Sequence, residues 1–325
     1  MKAWVCRRFA APFDIAIEDM PVPEPGPGEV RIRVHAAGLS FGETMVLEGR
    51  YQKTPPLPYI PSSEMAGVVD ACGPGVTRLV PGRRVAAFSV SLDGGGLAEY
   101  CVLPQAFVHG IADDLAFADA AGFLMNHWTA FNALVRRGNL QAGEVLLVHG
   151  ATGGTGSAAL DVGRAIGATV IATGSDDAKL TRVTADHRIN HVTTPLRERI
   201  LEITGGRGAD VIFDPVGGDL FDQSMRTIAT GGRLLVIGFT SGRPAMARTN
   251  VLLVKMISVI GVEGRLAIER MGEQGWNDFR EMLAWTANGR LKPQAGTCFA
   301  FADARRGYAE ILARKHAGKC VVLID

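Results

Sequence analysis

Residues 144–175 read EVLLVHGATGGTGSAALDVGRAIGATVIATGS, and the order of textures in this stretch decides the fold. An apolar run from Val145 to Val148 enters a turn carrying Gly150, Gly153, Gly154 and Gly156, with Ala151, Thr152 and Thr155 between them. A small-residue helical segment follows, then a second apolar run at 169–173. Strand, glycine turn, helix, strand is one βαβ unit of a dinucleotide-binding fold. Glycines let the backbone approach a pyrophosphate, and the free N–H groups at the helix start attract its charge. Thr152 stands where the usual G-x-G-x-x-G pattern has its second glycine. A glycine loop alone is weak evidence of binding, but its position between two buried strands strengthens it.

The end of the second strand bears on which dinucleotide binds. A site for NAD usually places Asp or Glu there, about 20 residues past the turn, to accept from the ribose 2′-OH. This chain has Gly174 and Ser175, with Lys179 close behind. A small neutral strand end leaves room for a 2′-phosphate that the lysine can neutralise, so NADPH is the expected cofactor. Asp176 and Asp177 admit two readings: capping a helix that starts near Ala178, which is favoured here, or turning inward to the ribose.

The chain has 325 residues, enough for two domains, and its 47% hydrophobic and 21% charged content is that of a globular protein. A net charge of +1 gives no general attraction to nucleic acid or to an anionic membrane. No segment approaches ~18 uninterrupted apolar residues, and the start, MKAWVCRRFAAPF, lacks the apolar centre of a signal peptide. Five isolated cysteines suit a reducing compartment, so a cytoplasmic location is expected.

Outward from the glycine unit the textures change. Before it, short strand-like runs at 30–34, 65–69, 84–88 and 97–102 alternate with Gly/Pro turns such as PGPG at 25–28, which argues a compact β-barrel-like domain. A helix is expected over 120–137. After the glycine unit, strands are expected at 187–192, 210–214, 233–238 and 256–262, with helices at 195–204 and 219–229, giving a parallel six-stranded sheet. One long helix over 268–288, another near 304–314 and a last strand at 319–324 follow. That strand finds no place in the sheet and is expected to return to the first domain.

The motifs AGLSF (37–41), PSSEMAGVV (61–69), LVHGATGGTG (147–156), TGGRG (204–208), DPVGG (214–218) and GRLLVIGF (232–239) occur in this order. With them the whole chain resembles the medium-chain dehydrogenase/reductase superfamily, in its zinc-independent quinone oxidoreductase branch, the one that includes zeta-crystallin. The resemblance implies an α/β protein: a GroES-like β-barrel catalytic domain at 1–121, completed by 263–325, around a Rossmann domain at 122–262 with a doubly wound parallel sheet. It also implies a cleft between the domains and a homodimer joined by edge strands of the nucleotide domains.

Zinc-dependent relatives carry a Cys near Ser40, a His near Ser63 and a Cys near Met125. Those donors are replaced here, so no metal is expected; Glu64 is expected to be a buried hydrogen-bonding residue. Hydride then comes from NADPH, and suitable substrates are already electrophilic: a quinone, or an enone in which the double bond is conjugated to a carbonyl. Tyr51, in Gly49-Arg50-Tyr51, matches the tyrosine by which enoyl-thioester reductases assist protonation, although packing against the cleft is an equal reading. The resemblance places Ser40 and Glu43 on the substrate side, and Asn126 and Thr129 beside the nicotinamide unless they cap a helix. It places Val216, Gly238, Phe239 and Ser241 at strand ends beside the cofactor. His191 falls at the adenosine phosphate, or else is simply exposed. His127 reads as a catalytic acid or as a structural residue, the second being favoured.

The leading function is an NADPH-dependent reductase of a quinone or activated enone. An enoyl-CoA reductase is the rival enzyme, with Arg50, Lys53, Arg243 and Arg248 as candidates for the CoA phosphates. A non-catalytic crystallin-like or RNA-binding protein is the rival from another class, and no basic patch interleaved with aromatics favours it.

Overall fold

The computed structural model describes residues 1–52, 54–89 and 94–324. It divides into two compact units, Met1–Met125 with Pro293–Asp325, and Asn126–Lys292.

The first unit opens with β1 (Lys2–Cys6) and β2 (Ile15–Asp19), an antiparallel pair. It continues with β3 (Glu29–Leu39), α1 (Phe41–Leu47), β4 (Glu64–Cys72), β5 (Arg84–Phe88), β6 (Tyr100–Pro104), β7 (Val108–Gly110) and α2 (Phe117–Ala121). In β3 the alternation decides the faces: Val30, Ile32 and Val34 are buried, while Arg31 and Arg33 turn away from the core. At Gly67 on β4 a Cβ would stand 2.0 Å from the Arg33 carbonyl, so only glycine allows the two strands to approach where the ladder bulges.

The second unit starts within α3 (Leu124–Phe131), which runs on through a π-helical turn at Asn132–Arg137. Then come β8 (Val145–Val148), α4 (Gly154–Ile166), β9 (Thr169–Gly174), α5 (Asp177–Leu180), β10 (His187–Asn190), α6 (Leu196–Ile203), β11 (Ala209–Asp214), α7 (Gly218–Thr227), β12 (Ile228–Val236), α8 (Thr249–Lys255), β13 (Ser258–Gly261), α9 (Gly264–Met271) and α10 (Glu273–Ala287). The sheet is parallel, in the order β10-β9-β8-β11-β12-β13. The strands therefore run outward in both directions from β8, and the order reverses between β8 and β11. This is the crevice at which a doubly wound sheet takes its ligand. All four residues of β8 and all six of β11 are buried, Asp210 and Asp214 included, as strands covered on both faces must be.

The chain returns to the first unit through β14 (Ala295–Ala300), α11 (Ala304–Leu312) and β15 (Lys319–Leu323). β15 pairs with β3 and β14, so the last strand does close the first unit's sheet. The return begins at Pro293, not at 263 as expected, because α9 and α10 pack on the nucleotide unit. Trp128 of α3 donates to the Gly264 carbonyl and stacks edge-on against Phe279 of α10. The single helix expected over 268–288 is two helices, broken at Gly272, whose φ of 57° ends the first. The expected helix over 120–137 is likewise interrupted between α2 and α3. β14 and α8 were not expected, being short segments without a clean period.

Candidate functional site

β8 delivers the glycine turn. The His149 backbone N–H donates to the Phe213 carbonyl, and that of Ala151 donates to the Thr173 carbonyl, both at 3.0 Å, so β11 and β9 fix the start of the turn. Gly153 caps α4 in an extended conformation and supplies no side-chain acceptor. The amides opening the helix, at Gly154 and Thr155, therefore have no side-chain cap, and this is the arrangement that receives an anion. At Gly156 a Cβ would lie 2.2 Å from the Gly150 carbonyl, so the helix start can sit against the turn only as glycine. Thr152 lies beside the β9 end: a Cβ on Gly174 would stand 3.3 Å from its methyl and 3.1 Å from Leu180. A larger residue at this strand end would press on both side chains.

Past Gly174 one member of the acidic pair is a helix cap. Asp176 is the N-cap of α5 and accepts from the Lys179 backbone N–H at 3.0 Å. Ser175, Asp176 and Asp177 are exposed and Lys179 is half-buried. Across the strand end, the His191 backbone N–H donates to the Gly174 carbonyl at 3.0 Å. Its ring is half-buried, with no hydrogen-bond partner for the buried Nδ1 among the described residues, and burial lowers its pKa. A neutral imidazole therefore stands at the same strand end as Ser175 and Lys179.

The ends of β11 and β12 bring four more expected residues together. Asp214 is buried and accepts from the Val216 and Gly217 amides at 2.8 and 2.9 Å, which shapes the turn after β11. Ser241 donates its backbone N–H to the Val216 carbonyl at 3.0 Å. A Cβ at Gly217 would meet the Phe239 ring at 3.1 Å, and Gly238 lies beside the Pro215 carbonyl.

On α3, Asn126 and Thr129 part company. Asn126 Oδ1 accepts from the Thr155 hydroxyl at 3.2 Å, which ties it to the first turn of α4. Thr129 faces α9 instead: a Cβ on Gly264 would be 2.4 Å from its Oγ1. Neither caps the helix, which begins two residues before Asn126. His127 contacts Asp161 Oδ2 at 3.2 Å, and the same oxygen accepts from the Lys292 N–H at 2.9 Å. The ring is thereby held against α4.

In the first unit, Ser40 is the N-cap of α1, and Glu43 completes a capping box with it. Glu43 is 3% exposed, and its carboxylate accepts from the backbone N–H of Ser63 at 2.7 Å, from that of Ser40 at 3.2 Å and from the Tyr308 hydroxyl at 3.1 Å. Burial pushes its pKa up, against the pull of Lys319 and these donors. Its longer arm therefore serves backbone amides on two segments. Half-buried Tyr51 packs on the core of this unit, and a Cβ on Gly42 would stand 3.7 Å from its ring and 3.9 Å from Ser40 Oγ. Tyr51 and Ser40 thus flank the same glycine.

The positions expected to lack metal donors are held by a different device. Glu64 accepts from the Met125 N–H at 2.9 Å and from Lys319 Nζ at 2.7 Å, with both side chains almost completely buried. Lys319 threads past Gly38 and Gly122, where a Cβ would come within 2.9 Å of it. The carboxylate is therefore already neutralised by an ammonium. Among the described residues no group of three His, Cys, Asp or Glu is placed to hold a metal ion. Lys319 was missed in the sequence because its partner is 255 residues away.

Residues 26–113 match the alcohol dehydrogenase GroES-like domain family, and residues 154–288 match the family described as zinc-binding dehydrogenase. The chain is 32% identical over 326 residues to quinone oxidoreductase-like protein 2 homolog of Nematostella vectensis, covering 99% of this chain and 88% of the relative. The quinone oxidoreductase of Thermus thermophilus, solved alone and with NADPH, is 30% identical with a TM-score of 0.84 over the whole of both chains. A structure described as an NAD-dependent alcohol dehydrogenase matches at 29% identity and a TM-score of 0.90, also over both full lengths. On its fold, its full-length similarity and the donors replaced at Ser40, Ser63 and Met125, this chain belongs to the zinc-independent, quinone-oxidoreductase-like branch of the medium-chain dehydrogenase/reductase superfamily.

Proposed function

We propose that the protein is an NADPH-dependent oxidoreductase that reduces a quinone or a carbon–carbon double bond conjugated to a carbonyl. The observation that carries this reading is the uncapped helix start at Gly153 and Gly154, in a chain similar over its full length to quinone oxidoreductases. The glycine cradle fits a pyrophosphate, with the amides of Gly154 and Thr155 facing it and Ala151, Thr152 and Gly153, whose own N–H bonds the Gly150 carbonyl, lining it. Ser175, Lys179 and His191, beside Gly174, form the place for the 2′-phosphate. Val216, Gly238, Phe239 and Ser241 lie where the nicotinamide half of the dinucleotide belongs, with Asn126 held to α4. Thr129 has a smaller claim, because it faces α9.

When bound, the cofactor supplies the hydride. On the catalytic unit, Ser40 and Tyr51 are the candidates for the substrate. The Tyr51 phenol donates to the oxygen on which enolate charge develops. Glu43 acts through Ser40, fixing the start of α1, and makes no substrate contact of its own.

The enoyl-CoA reading is weaker on this geometry. Arg243 is ion-paired with Asp219 and Arg50 with Glu48, so two of its four cations are already engaged. Lys53 lies outside the described residues.

A second copy of the chain is the partner that suits the nucleotide unit. β13 ends the sheet, and α8, which precedes it in the chain, exposes Leu253 and Val254, with Met256 following. A cytoplasmic location agrees with five unbridged cysteines, and no helix among the described residues is long and apolar enough to cross a membrane.

The test is NADPH oxidation with a panel of quinones, enals and enoyl-CoA thioesters. Turnover of quinones or enals is expected. Turnover confined to the thioesters would move the assignment to the rival enzyme, and none at all would remove catalysis.

A further inference from the structure

His149 follows β8 directly, precedes the glycine turn and is completely buried. Its Nδ1 lies 2.8 Å from Thr173 Oγ1 on β9, and its Nε2 lies 2.7 Å from Ser224 Oγ on α7. Ser224 in turn donates to the Leu220 carbonyl at 2.7 Å. A hydroxyl has one proton, and Ser224 has spent its own, so its oxygen accepts from the ring and Nε2 carries the hydrogen. In a neutral ring Nδ1 is then an acceptor, which the Thr173 hydroxyl fills in preference to the Val148 carbonyl at 3.3 Å. Burial keeps the ring neutral, its pKa pushed down to about 4; the nearby Asp214 carboxylate opposes this and His191 adds to it. The Ser–His contact is not a nucleophile pair, because Ser224 is also fully buried and its proton is committed.

We infer that His149 positions the dinucleotide turn, as the middle link of a one-way hydrogen-bond chain from Thr173 through its ring to Ser224 and Leu220. The chain joins β8, β9 and α7 where the turn begins. His149 and Ala151 are the residues whose amides β11 and β9 hold, and the Gly150 carbonyl is the atom against which Gly156 packs. Fixing the ring fixes that carbonyl, and through it the first turn of α4. The inference rests on the proposed pyrophosphate site at this turn. A pyrophosphate is common to NADPH and NADH, so loss of the lock weakens both alike.

The test is titration of NADPH and NADH into the full chain carrying Thr173→Val or Ser224→Ala, each of which removes one link with little change of shape. Each variant is expected to weaken both nucleotides by the same factor, about threefold to tenfold. The double variant is expected to fall short of the product, because one broken link already frees the ring. Nitrogen NMR of wild type is expected to find the ring proton on Nε2. Nucleotide affinities unchanged within twofold in folded variants, or the proton on Nδ1, would overturn the inference and leave His149 as packing. Failure of wild type to bind either nucleotide would instead remove the pyrophosphate reading on which it rests.

Discussion

The Tyr308 hydroxyl donates to Glu43 Oε2 across 265 residues of sequence, so the helix of the returning segment finishes the capping box of the first helix. Burial raises the Tyr308 pKa well above its ordinary value, and the carboxylate beside it adds to the rise. The phenol therefore stays a donor at all working pH values. Tyr308→Phe leaves a buried carboxylate one donor short and is expected to lower stability by about 1.5–3 kcal/mol in urea unfolding. NADPH affinity, measured on the same protein, is expected to stay within twofold, since Glu43 serves the other unit.

Lys319 and Glu64 form a buried pair that is costly to break from one side. Lys319→Met leaves a buried carboxylate uncompensated, and a loss of about 3–5 kcal/mol is expected. Adding Glu64→Gln should restore much of it, because a neutral amide needs no counter-charge. If the double variant is no more stable than the single, the side chain of Lys319 matters as packing and not as charge.

Cofactor preference turns on Lys179. Asp176 is occupied as a helix cap, which leaves exposed Asp177 as the rival carboxylate for the ribose. Lys179→Ala is expected to weaken NADPH by about 10- to 100-fold, equivalent to a charge-assisted contact of about 1.5–3 kcal/mol, and to leave NADH nearly unchanged. Wild type that binds NADH as tightly as NADPH would reassign the site.

For Tyr51 the informative comparison is between substrates. Tyr51→Phe keeps the ring against Gly42 and removes only the hydroxyl. On an enone, kcat is expected to fall by about 10²–10⁴-fold, the usual worth of a positioned acid. An easily reduced quinone needs little proton assistance and should lose far less. Equal small effects on both would make the residue a lining group.

Acid stability should carry the mark of His149. Its folded pKa, about 4, lies below the ordinary value of 6.5. Between these values the unfolded chain binds a proton that the folded ring refuses. The ring's contribution is therefore intact above about pH 6.5 and declines as pH falls toward 4, by up to about 3 kcal/mol. Glu43 shifts the other way: its raised pKa makes ionisation costly as pH rises past 4.5, and protonation in acid relieves that. Comparing wild type with His149→Gln isolates the ring. A stability difference between the two that does not vary from pH 7 to pH 4.5 would refute the assignment.

The glycine turn, the parallel sheet around it and the return of the last strand were all legible in the sequence, because each is written in short-range pattern. Val145–Val148 is a continuous apolar run, and Val211–Phe213 is the apolar centre of Ala209–Asp214, as strands covered on both faces read. Gly150 and Gly153 lead into a small-residue helix, and Gly156 lies in its first turn. The missing donors at Ser40, Ser63 and Met125 are likewise visible one residue at a time. Tertiary structure alone decided the long-range pairings: Lys319 on Glu64, Tyr308 on Glu43, and His149 between Thr173 and Ser224. It also decided that α9 and α10 stay with the nucleotide unit and that Glu43 binds backbone amides. The physical reason is common to all of these. A hydrophobic period or a glycine constrains its own neighbourhood, whereas a buried polar group must find its partner wherever the folded chain brings one within about 3 Å, at a separation no local pattern records.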